Sequence, residues 1–181
     1  MRFREIVTAV SLLMVPAAGM AQLLTPGAPP PADPADVSSL DAVMKAVYDV
    51  ISGPAGAPRD WNRMRSLFIP GARLGPVVPA SNGRYVTQIG SLEEWIEGAQ
   101  PFFAGTGFFE REITRRTELF GHMGHTFSTY ESRHAANDSL PFQRGINSMQ
   151  LFNDGTRWWI VSIYWTAERA DNPIPRKYLQ P

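Results

Sequence analysis

Five polar side chains lie at alternating positions of strand-like segments in the C-terminal half of the chain. They are Arg115, Ser128, Tyr130, Asn147 and Tyr164. Because every second residue of a strand points to the same face of its sheet, these groups are predicted to turn the same way. A few convergent polar groups in an apolar lining are typical of small-molecule sites, so they form a candidate ligand-binding floor. The alternative is that the five satisfy one another inside a filled core.

Acid–base catalysis would need a titratable group on that same face, and the predicted inner positions contain no Asp or Glu. His125 is a residue type often used as a general base near neutral pH, but the expected register places it on the outer face. Glu112 and Glu131 could act as paired carboxylates. Their predicted cross-strand partners, Arg133 and Thr114, explain them more simply. The sequence therefore favours a binding site over a catalytic one, and the catalytic residues stay unassigned.

His122 and His125 are spaced as a pair of metal ligands could be. Zinc takes three or four ligands, and the chain offers no Cys and no suitable third group nearby. His122 is also expected in a turn, so the two imidazoles need not converge. We expect no metal and no cofactor. No Ser-His-Asp, phosphate-loop or dinucleotide motif is present.

Two predicted hairpins would position the candidate residues. Asp154-Gly155 is typical of a two-residue type I′ turn, which pairs Asn153 with Thr156. The earlier hairpin turns within residues 121–124, which places Leu119 opposite Thr126. A slip of one residue would exchange the two faces of either hairpin. In the expected register, the closing strand contributes to the inner face Trp158, Ile160, Ser162 and Tyr164.

Periodicity predicts three helices followed by antiparallel strands. The helices run from Leu40 to Ile51, from Asp60-Trp61 to Pro70, and from Ser91 to Pro101 or Gly105. Ser91 and Glu94 match a capping box at the start of the third helix. Residues 72–90 are expected to form a loop. The predicted strands cover 108–120, 124–134, 143–153 and 157–168. Helices first and strands afterwards indicate an α+β fold.

The outer face of the last hairpin is predicted to carry an apolar row. It consists of Ile146, Trp159, Val161, Ile163 and Trp165. Such a row left in water would be a liability, so we expect a homodimer interface there. The alternative is an additional layer supplied by the C-terminal tail, Asn172 to Pro181.

The first residues are typical of a secretory signal. Arg2 and Arg4 precede an apolar stretch from Ile6 to Val15, and Gly19-Met20-Ala21 provides small residues for cleavage after Ala21. An uncleaved membrane anchor is the alternative, but a span needs roughly 20 apolar residues. The predicted location is therefore periplasmic or secreted, with no membrane association after cleavage.

The rest of the chain divides into a Pro-rich flexible linker (22–37), one domain (38–170) and a tail (171–181). The 17 basic and 17 acidic residues balance, so no charge excess favours nucleic acid or an anionic membrane surface. With no Cys, the fold has no disulfide and no thiol nucleophile. Its stability must come from the apolar core.

Three features together resemble a known superfamily. They are the three helices before a long curved sheet, Asp60-Trp61 opening the second helix, and the closing run 155–160, Gly-Thr-Arg-Trp-Trp-Ile. The chain is similar over roughly residues 38–170 to nuclear transport factor 2-like proteins, which include the SnoaL-like polyketide cyclases. The stretch 144–151 also looks like exported bacterial members.

That resemblance implies a cone in which helices cap the concave face of a bent sheet and leave a pocket. It also implies dimerisation through the convex face, and Trp61 is placed where it could close the mouth of the cone. Ketosteroid-isomerase-like members need an acidic base and an oxyanion donor inside the cone. Epoxide-hydrolase-like members need paired carboxylates around an Arg. A fold of this kind supports unrelated functions.

Three functions stay open. The first is an exported protein that binds a small, mostly apolar ligand without catalysis, and the missing inner carboxylates favour it. The second is an isomerase, dehydratase or cyclase acting on a small hydrophobic substrate, with Tyr130 as hydrogen-bond donor. The third is a structural dimer with a filled cone.

Overall fold

The fold is that of a computed structural model, which describes residues 27–180. The predicted signal peptide and the first part of the predicted linker lie outside the described residues. The helices of the described part are α1 (Pro34–Val37), α2 (Leu40–Ile51), α3 (Trp61–Leu67), α4 (Leu92–Gly105) and a 3₁₀-helix (Arg176–Tyr178). Within residues 27–180, no helix has both the length and the apolarity needed to cross a membrane.

Seven strands form one curved, open sheet. They are β1 (Phe68–Pro79), β2 (Tyr85–Thr87), β3 (Gly90–Ser91), β4 (Phe109–Phe120), β5 (Met123–Arg133), β6 (Gln143–Asn153) and β7 (Trp158–Ala167). The order is β2-β1-β7-β6-β5-β4, with β3 paired to β1. Neighbours are antiparallel except β1 and β7, which run parallel. The α+β cone expected from the sequence is confirmed.

Side-chain caps fix where the helices begin. Ser39 caps α2 and Asp60 caps α3, each by accepting a backbone N–H of the first turn. Ser91 and Glu94 form the predicted capping box, in which the Ser91 N–H donates to the Glu94 carboxylate at 2.6 Å. Such caps satisfy backbone donors that the helix itself cannot, so they set the first residue of each helix. Helix α4 continues through Pro101 to Gly105.

The prediction of a loop over residues 72–90 is wrong, because this segment forms most of β1 and all of β2. Its Gly and Pro residues suggested a loop, yet β1 runs beside β7 for much of its length. Gly75 is required by a close approach: a Cβ there would lie 2.4 Å from the Gln88 carbonyl oxygen. The glycine therefore marks strand packing and not a turn.

The last residues of the predicted linker belong to the folded part. Residues 34–37 form the single turn of α1, and Val37 is buried against the core. Two hydrogen bonds of 2.7 and 2.8 Å join the Arg63 guanidinium to the Asp36 carboxylate. This bidentate geometry ties α1 to α3.

The predicted register of the last hairpin is wrong. Asn153 pairs with Trp158, so the turn is two residues longer than predicted. Leu151 lies opposite Ile160 and not, as predicted, opposite Trp158; both stay on the predicted inner face, but Val161 has no partner in β6 and the register shifts there. Such a bulge reverses the alternation of every residue beyond it. Beyond Val161, Ile163 and Trp165 face the inside of the cone, and Ser162 and Tyr164 face outward.

The earlier hairpin differs in a way that matters more for chemistry. Its two-residue turn is Gly121-His122, so Thr126 pairs with Thr117 and the predicted pairing with Leu119 is wrong, although the predicted faces are kept in this half. Ile113 is an extra residue without a partner in β5. Before it the alternation reverses, and Glu112 lies opposite Tyr130 on the inner face. The prediction that the inner face contains no carboxylate is therefore wrong.

Apolar packing fills one end of the cone. Helices α2 and α3 cover the sheet there, with fully buried side chains that include Val43, Met44, Met64, Leu67, Phe68, Leu151 and Ile160. At the other end the aromatic side chains of α4 stand away from the sheet. The space between these side chains and the sheet is the candidate site.

Candidate functional site: a buried carboxyl in an apolar cavity

An internal cavity of about 360 Å³ lies between α2, α4 and the inner face of the sheet. This is a volume that fits a small organic molecule. Its walls are mainly aromatic and aliphatic: Val47, Ile51, Met64, Leu74, Trp95, Phe102, Phe103, Phe108, Phe142, Met149, Ile163 and Trp165. Five polar side chains also line it: Tyr48, Glu110, Tyr130, Gln143 and Asn147. Among the described lining residues, none is cationic.

Glu110 is the carboxylic acid of this cavity. It is the second residue of β4, three positions before the bulge at Ile113, and it lies opposite Ser132. Its backbone is fixed to the end of α2, because Glu110 N–H donates to the Ser52 hydroxyl at 3.0 Å. Its side chain accepts a hydrogen bond of 2.8 Å from the Ser132 hydroxyl. The carboxyl thus has a defined position beside the cavity.

Burial raises the pKa of Glu110 from 4.5 to about 7. The residue is half-buried and its side chain borders the mainly apolar cavity, so its charged form is poorly solvated. Hydrogen bonds from Ser132 and the Asn147 amide favour the charged form and partly offset this effect. A carboxyl with a pKa near neutrality can both take up and release a proton under physiological conditions.

Tyr130 offers a hydroxyl donor next to this carboxyl. Its side chain is 2% exposed, and the residue lines the cavity together with Glu110. Burial and the nearby charge of Glu110 raise the pKa of Tyr130, which keeps the phenol protonated. The ring packs on Gly145, where a Cβ would lie 2.5 Å from the phenol oxygen. Its neutral O–H can therefore donate a hydrogen bond to a polar atom in the cavity.

Tyr48 and Asn147 connect the cavity to a second carboxylate behind it. The Asn147 amide donates to the Tyr48 oxygen at 3.1 Å, and 2.6 Å separate that oxygen from the Ser128 oxygen. Ser128 donates to Glu112 at 2.7 Å. Arg115 donates to Glu112 at 2.8 Å. Burial raises the pKa of Tyr48, so it is a neutral hydrogen-bonding group.

The sequence-predicted ligand residues are only partly brought together. Tyr130 and Asn147 line the cavity. Ser128 and Arg115 share the inner face, but they contact Tyr48 and Asp41 of α2 and do not line the cavity. Tyr164 was expected beside Tyr130 and Asn147, but it pairs with Ser148 on the outer face because of the bulge at Val161. Trp61 packs against Trp95 and Phe103 and is not among the residues that line the cavity.

The predicted dimer row is divided between the two faces. Ile163 and Trp165 line the cavity and are therefore unavailable for an outer interface. Ile146 and Trp159 lie on the outer face, opposite Thr166 and Phe152, while Val161 is the bulge residue. The interface itself stays a prediction, now without Ile163 and Trp165.

The C-terminal tail covers part of the outer face. Thr129 points outward and is nevertheless fully buried, because its hydroxyl donates to the Tyr178 carbonyl at 2.6 Å. The Tyr178 ring also packs edge-on against Phe127. The additional layer that the sequence offered as an alternative is thus present over β5.

The remaining candidates for chemistry lie outside the cavity. His125 is on the outer face, as predicted, with its ring 3.2 Å from the Ser148 hydroxyl. Glu131, also on the outer face, forms ion pairs with Arg111 and Arg133. Among residues 27–180, no three His, Asp or Glu side chains are grouped as metal ligands would be.

Sequence reasoning missed Glu110, Tyr48 and the aromatic wall. Glu110 was missed because alternation was continued through Ile113 without a bulge. Tyr48 was assigned to the apolar face of α2, where it does lie, but its hydroxyl reaches across to the sheet. The dense aromatic run 102–108 before β4 was the available signal for a cavity wall.

The comparisons with known proteins show a fold and no closer relationship. No family model matches the chain, and no curated protein matches its sequence. A proposed dehydratase of the nuclear transport factor 2-like family from Streptomyces avermitilis matches in structure with a TM-score of 0.52 and 14% identity. The match covers 75% of this chain and 97% of the other.

Two further solved structures are similar at lower scores. One is a protein of unknown function from Silicibacter pomeroyi, with 15% identity, coverage of 72% and 94%, and a TM-score of 0.46. The other is a proposed ketosteroid isomerase from Kribbella flavida, with 14% identity, coverage of 82% and 93%, and a TM-score of 0.43. With the cone described above, the match to the Streptomyces protein identifies this chain as a protein of the nuclear transport factor 2-like fold.

Proposed function

We propose that this protein is an acid–base enzyme that moves a proton within a small, largely apolar carbonyl compound. The observation that carries the proposal is Glu110, a carboxyl with a pKa of about 7 in a cavity with mainly apolar walls. The sequence left an isomerase, dehydratase or cyclase as the alternative to a binding protein. That alternative required a titratable group inside the cone, and Glu110 meets the requirement.

Glu110 and Tyr130 have different roles in this proton transfer. The Glu110 carboxylate takes a proton from a carbon next to the carbonyl, and its O–H then returns that proton to another carbon. The Tyr130 hydroxyl donates to the carbonyl oxygen, which gains negative charge as the first C–H bond breaks. The mainly apolar walls lower the local polarity, which strengthens this hydrogen bond.

A single carboxyl favours isomerisation over dehydration. Loss of water also requires that the leaving hydroxyl lie within reach of the protonated carboxyl or of a second acid. Among the described lining residues, Glu110 is the one group that titrates near neutral pH. A proton shift needs only one such group, since the same carboxyl removes and returns the proton.

Deuterium exchange tests this proposal. The protein is incubated in D₂O with a panel of small unsaturated ketones, and exchange next to the carbonyl is followed by ¹H NMR. We expect exchange that disappears in Glu110→Gln and falls about 10²–10³-fold in Tyr130→Phe, the loss typical of one oxyanion donor. Glu118→Gln, on the exposed outer half of β4, is the matched control and should be unchanged. Equal exchange in wild type and Glu110→Gln would contradict the proposal.

A non-catalytic ligand-binding protein is the second candidate, and the apolar lining favours it. A ligand would be bound by hydrophobic burial, with Tyr130 and Asn147 fixing its orientation. Ligand-dependent increases in melting temperature without any deuterium exchange would support this candidate over the enzyme.

Export is proposed from the sequence of residues 1–21. If the signal is cleaved after Ala21, protein expressed with its full N-terminus in a bacterial host should be recovered from the periplasm with Gln22 as its first residue. Intact-mass measurement checks this. Recovery of the full-length mass in the membrane fraction would support the uncleaved anchor.

A further inference from the structure

Behind the cavity, Glu112 ends a chain of hydrogen bonds that begins at Asn147. Glu112 does not line the cavity. It is half-buried on the inner face, between Ser128 and Arg115, and Arg115 also pairs with Asp41 on α2. The proposed function does not use this carboxylate.

The direction of the chain follows from proton counting. Glu112 accepts hydrogen bonds from Arg115 and Ser128, as an ionised carboxylate does, so the one hydroxyl proton of Ser128 points to Glu112. The Ser128 oxygen is then free to accept from Tyr48, 2.6 Å away. Tyr48 in turn has no proton left for Asn147, and at 3.1 Å it must accept from the amide nitrogen.

The amide orientation of Asn147 matters because Asn147 also faces Glu110. Both residues line the same cavity, and with the Asn147 nitrogen turned toward Tyr48 at 3.1 Å, its second N–H is left to favour the charged form of Glu110. With the amide reversed, a carbonyl oxygen would face that carboxylate and disfavour the charge. One side chain thus connects the chain to the carboxyl in the cavity.

We infer that Glu112 is a positioning residue, whose charge sets the direction of the Asn147–Tyr48–Ser128 chain and thereby turns the Asn147 amide toward Glu110. The inference rests on the proposed importance of Glu110, but its test reads a titration and needs no substrate. Failure of the inference and failure of the proposed function are therefore distinguishable.

In the variant Glu112→Gln, a positioning role and a simple charge effect of Glu112 predict opposite changes in the Glu110 pKa. Its amide can donate to Ser128, which allows every bond of the chain to reverse and the Asn147 amide to flip. The Glu110 pKa should then rise, by about one unit if one hydrogen bond to the carboxylate is lost. If Glu112 acts only as a nearby negative charge, its removal should lower the Glu110 pKa.

The measurement is a ¹³C NMR titration of the Glu110 side-chain carboxyl in wild type, Glu112→Gln and Ser128→Ala. The other groups facing the two carboxyls are Tyr48, Tyr130, Arg115 and Asp41, and all are left intact. Ser128→Ala cuts the chain without changing any charge. It is also the second variant should Glu112→Gln fold poorly, which is checked by circular dichroism. Glu118→Gln controls for a distant charge change.

A higher Glu110 pKa in both Glu112→Gln and Ser128→Ala is the expected result. An unchanged or lower pKa in either well-folded variant would overturn the inference.

Discussion

Placing the Glu110 carboxylate beside a mainly apolar cavity costs free energy of solvation. A carboxylate loses most of its solvation in an apolar cavity, and two hydrogen bonds from neutral groups do not replace it. Its pKa of about 7 reflects that cost. Among residues 27–180, no cationic side chain lines the cavity to offset the charge.

The pH dependence of stability follows from this shift. The folded-state pKa of Glu110 lies above its ordinary value of 4.5, so the folded protein binds this proton more tightly than the unfolded chain does. The contribution is fully present below pH 4.5 and is lost as the pH rises through 7, at ~3 kcal/mol in total. Glu110→Gln should abolish this loss. Urea unfolding of both proteins at pH 4, 6 and 8 measures the difference.

The same unfolding experiment with Glu118→Gln serves as the control. That variant should follow the wild type at every pH, since Glu118 is exposed. A constant difference in unfolding free energy between wild type and Glu110→Gln from pH 4 to 8 would show that Glu110 titrates normally.

Gly145 is the residue on which Tyr130 depends most closely. An added methyl group would lie 2.4 Å from the Thr166 carbonyl oxygen and 2.5 Å from the Tyr130 oxygen, so both the strand and the ring must shift. We expect Gly145→Ala to lower the free energy of unfolding by roughly 1–3 kcal/mol, as overpacking does. Denaturant titration measures it.

Gly98→Ala is the matched substitution at an open position. It lies inside α4 with no atom within 4 Å of the added Cβ. It should raise stability by up to about 1 kcal/mol, because Ala favours the helix more than Gly does. Equal effects of the two substitutions would contradict the packing of Tyr130 on Gly145.

At the scale of elements, regular patterns could be predicted and irregular ones could not. Helical periodicity, capping residues and turn signals located α2, α3, α4 and the four long strands, because each depends on neighbours in sequence. The bulges at Ile113 and Val161 depend on how two strands fit across the sheet. No residue type near either position indicates a bulge. The bulge at Ile113 places Glu110 and Glu112 on the inner face, and the bulge at Val161 places Tyr164 on the outer face.

The parallel pairing of β1 with β7 could not be predicted from local sequence either. It joins segments about 90 residues apart, whereas the Gly and Pro residues of β1 carry a local preference for loops. Tertiary pairing overrode that preference. As a result Leu74, expected in a loop, lines the cavity.

Helix α4 forms one wall of the cavity, and its start is fixed by the capping box. Ser91→Ala should cost about 1 kcal/mol of unfolding free energy, because both reciprocal hydrogen bonds depend on the Ser91 hydroxyl or its geometry. Urea denaturation measures the cost. Ser139→Ala, in an exposed loop, should change nothing. Equal stability of Ser91→Ala and wild type would mean that the cap does not limit α4.

At the scale of the whole molecule, the outer face of the sheet has two parts. The tail covers β5 near Thr129 and Phe127. Toward the hairpin tips lies a cross-strand set of apolar side chains, here named the convex row: Phe120, Met123 and Phe152, which are exposed, and Trp159, which is half-buried with the Arg157 guanidinium over its ring. Phe120 is 81% exposed and Met123 is 60% exposed. Such a contiguous patch favours the homodimer that the sequence suggested.

We therefore propose that the convex row and Ile146 form a two-fold dimer interface. Light scattering after gel filtration at micromolar concentration should give the mass of two subunits, and Phe152→Asp should give one. Leu140→Asp is the matched control, because Leu140 is 79% exposed in the loop before β6 and lies away from the row. A wild-type mass of one subunit would exclude this interface under those conditions.

The proposed acid–base site depends on Glu110 being a poorly solvated carboxyl inside the cone. A ¹³C NMR titration of its side-chain carboxyl in the wild-type protein, assigned through Glu110→Gln, measures this directly. A midpoint near pH 7 is the predicted result. A midpoint at the ordinary glutamate value of 4.5 would mean that the carboxyl faces water, and the assignment of an acid–base site would be wrong.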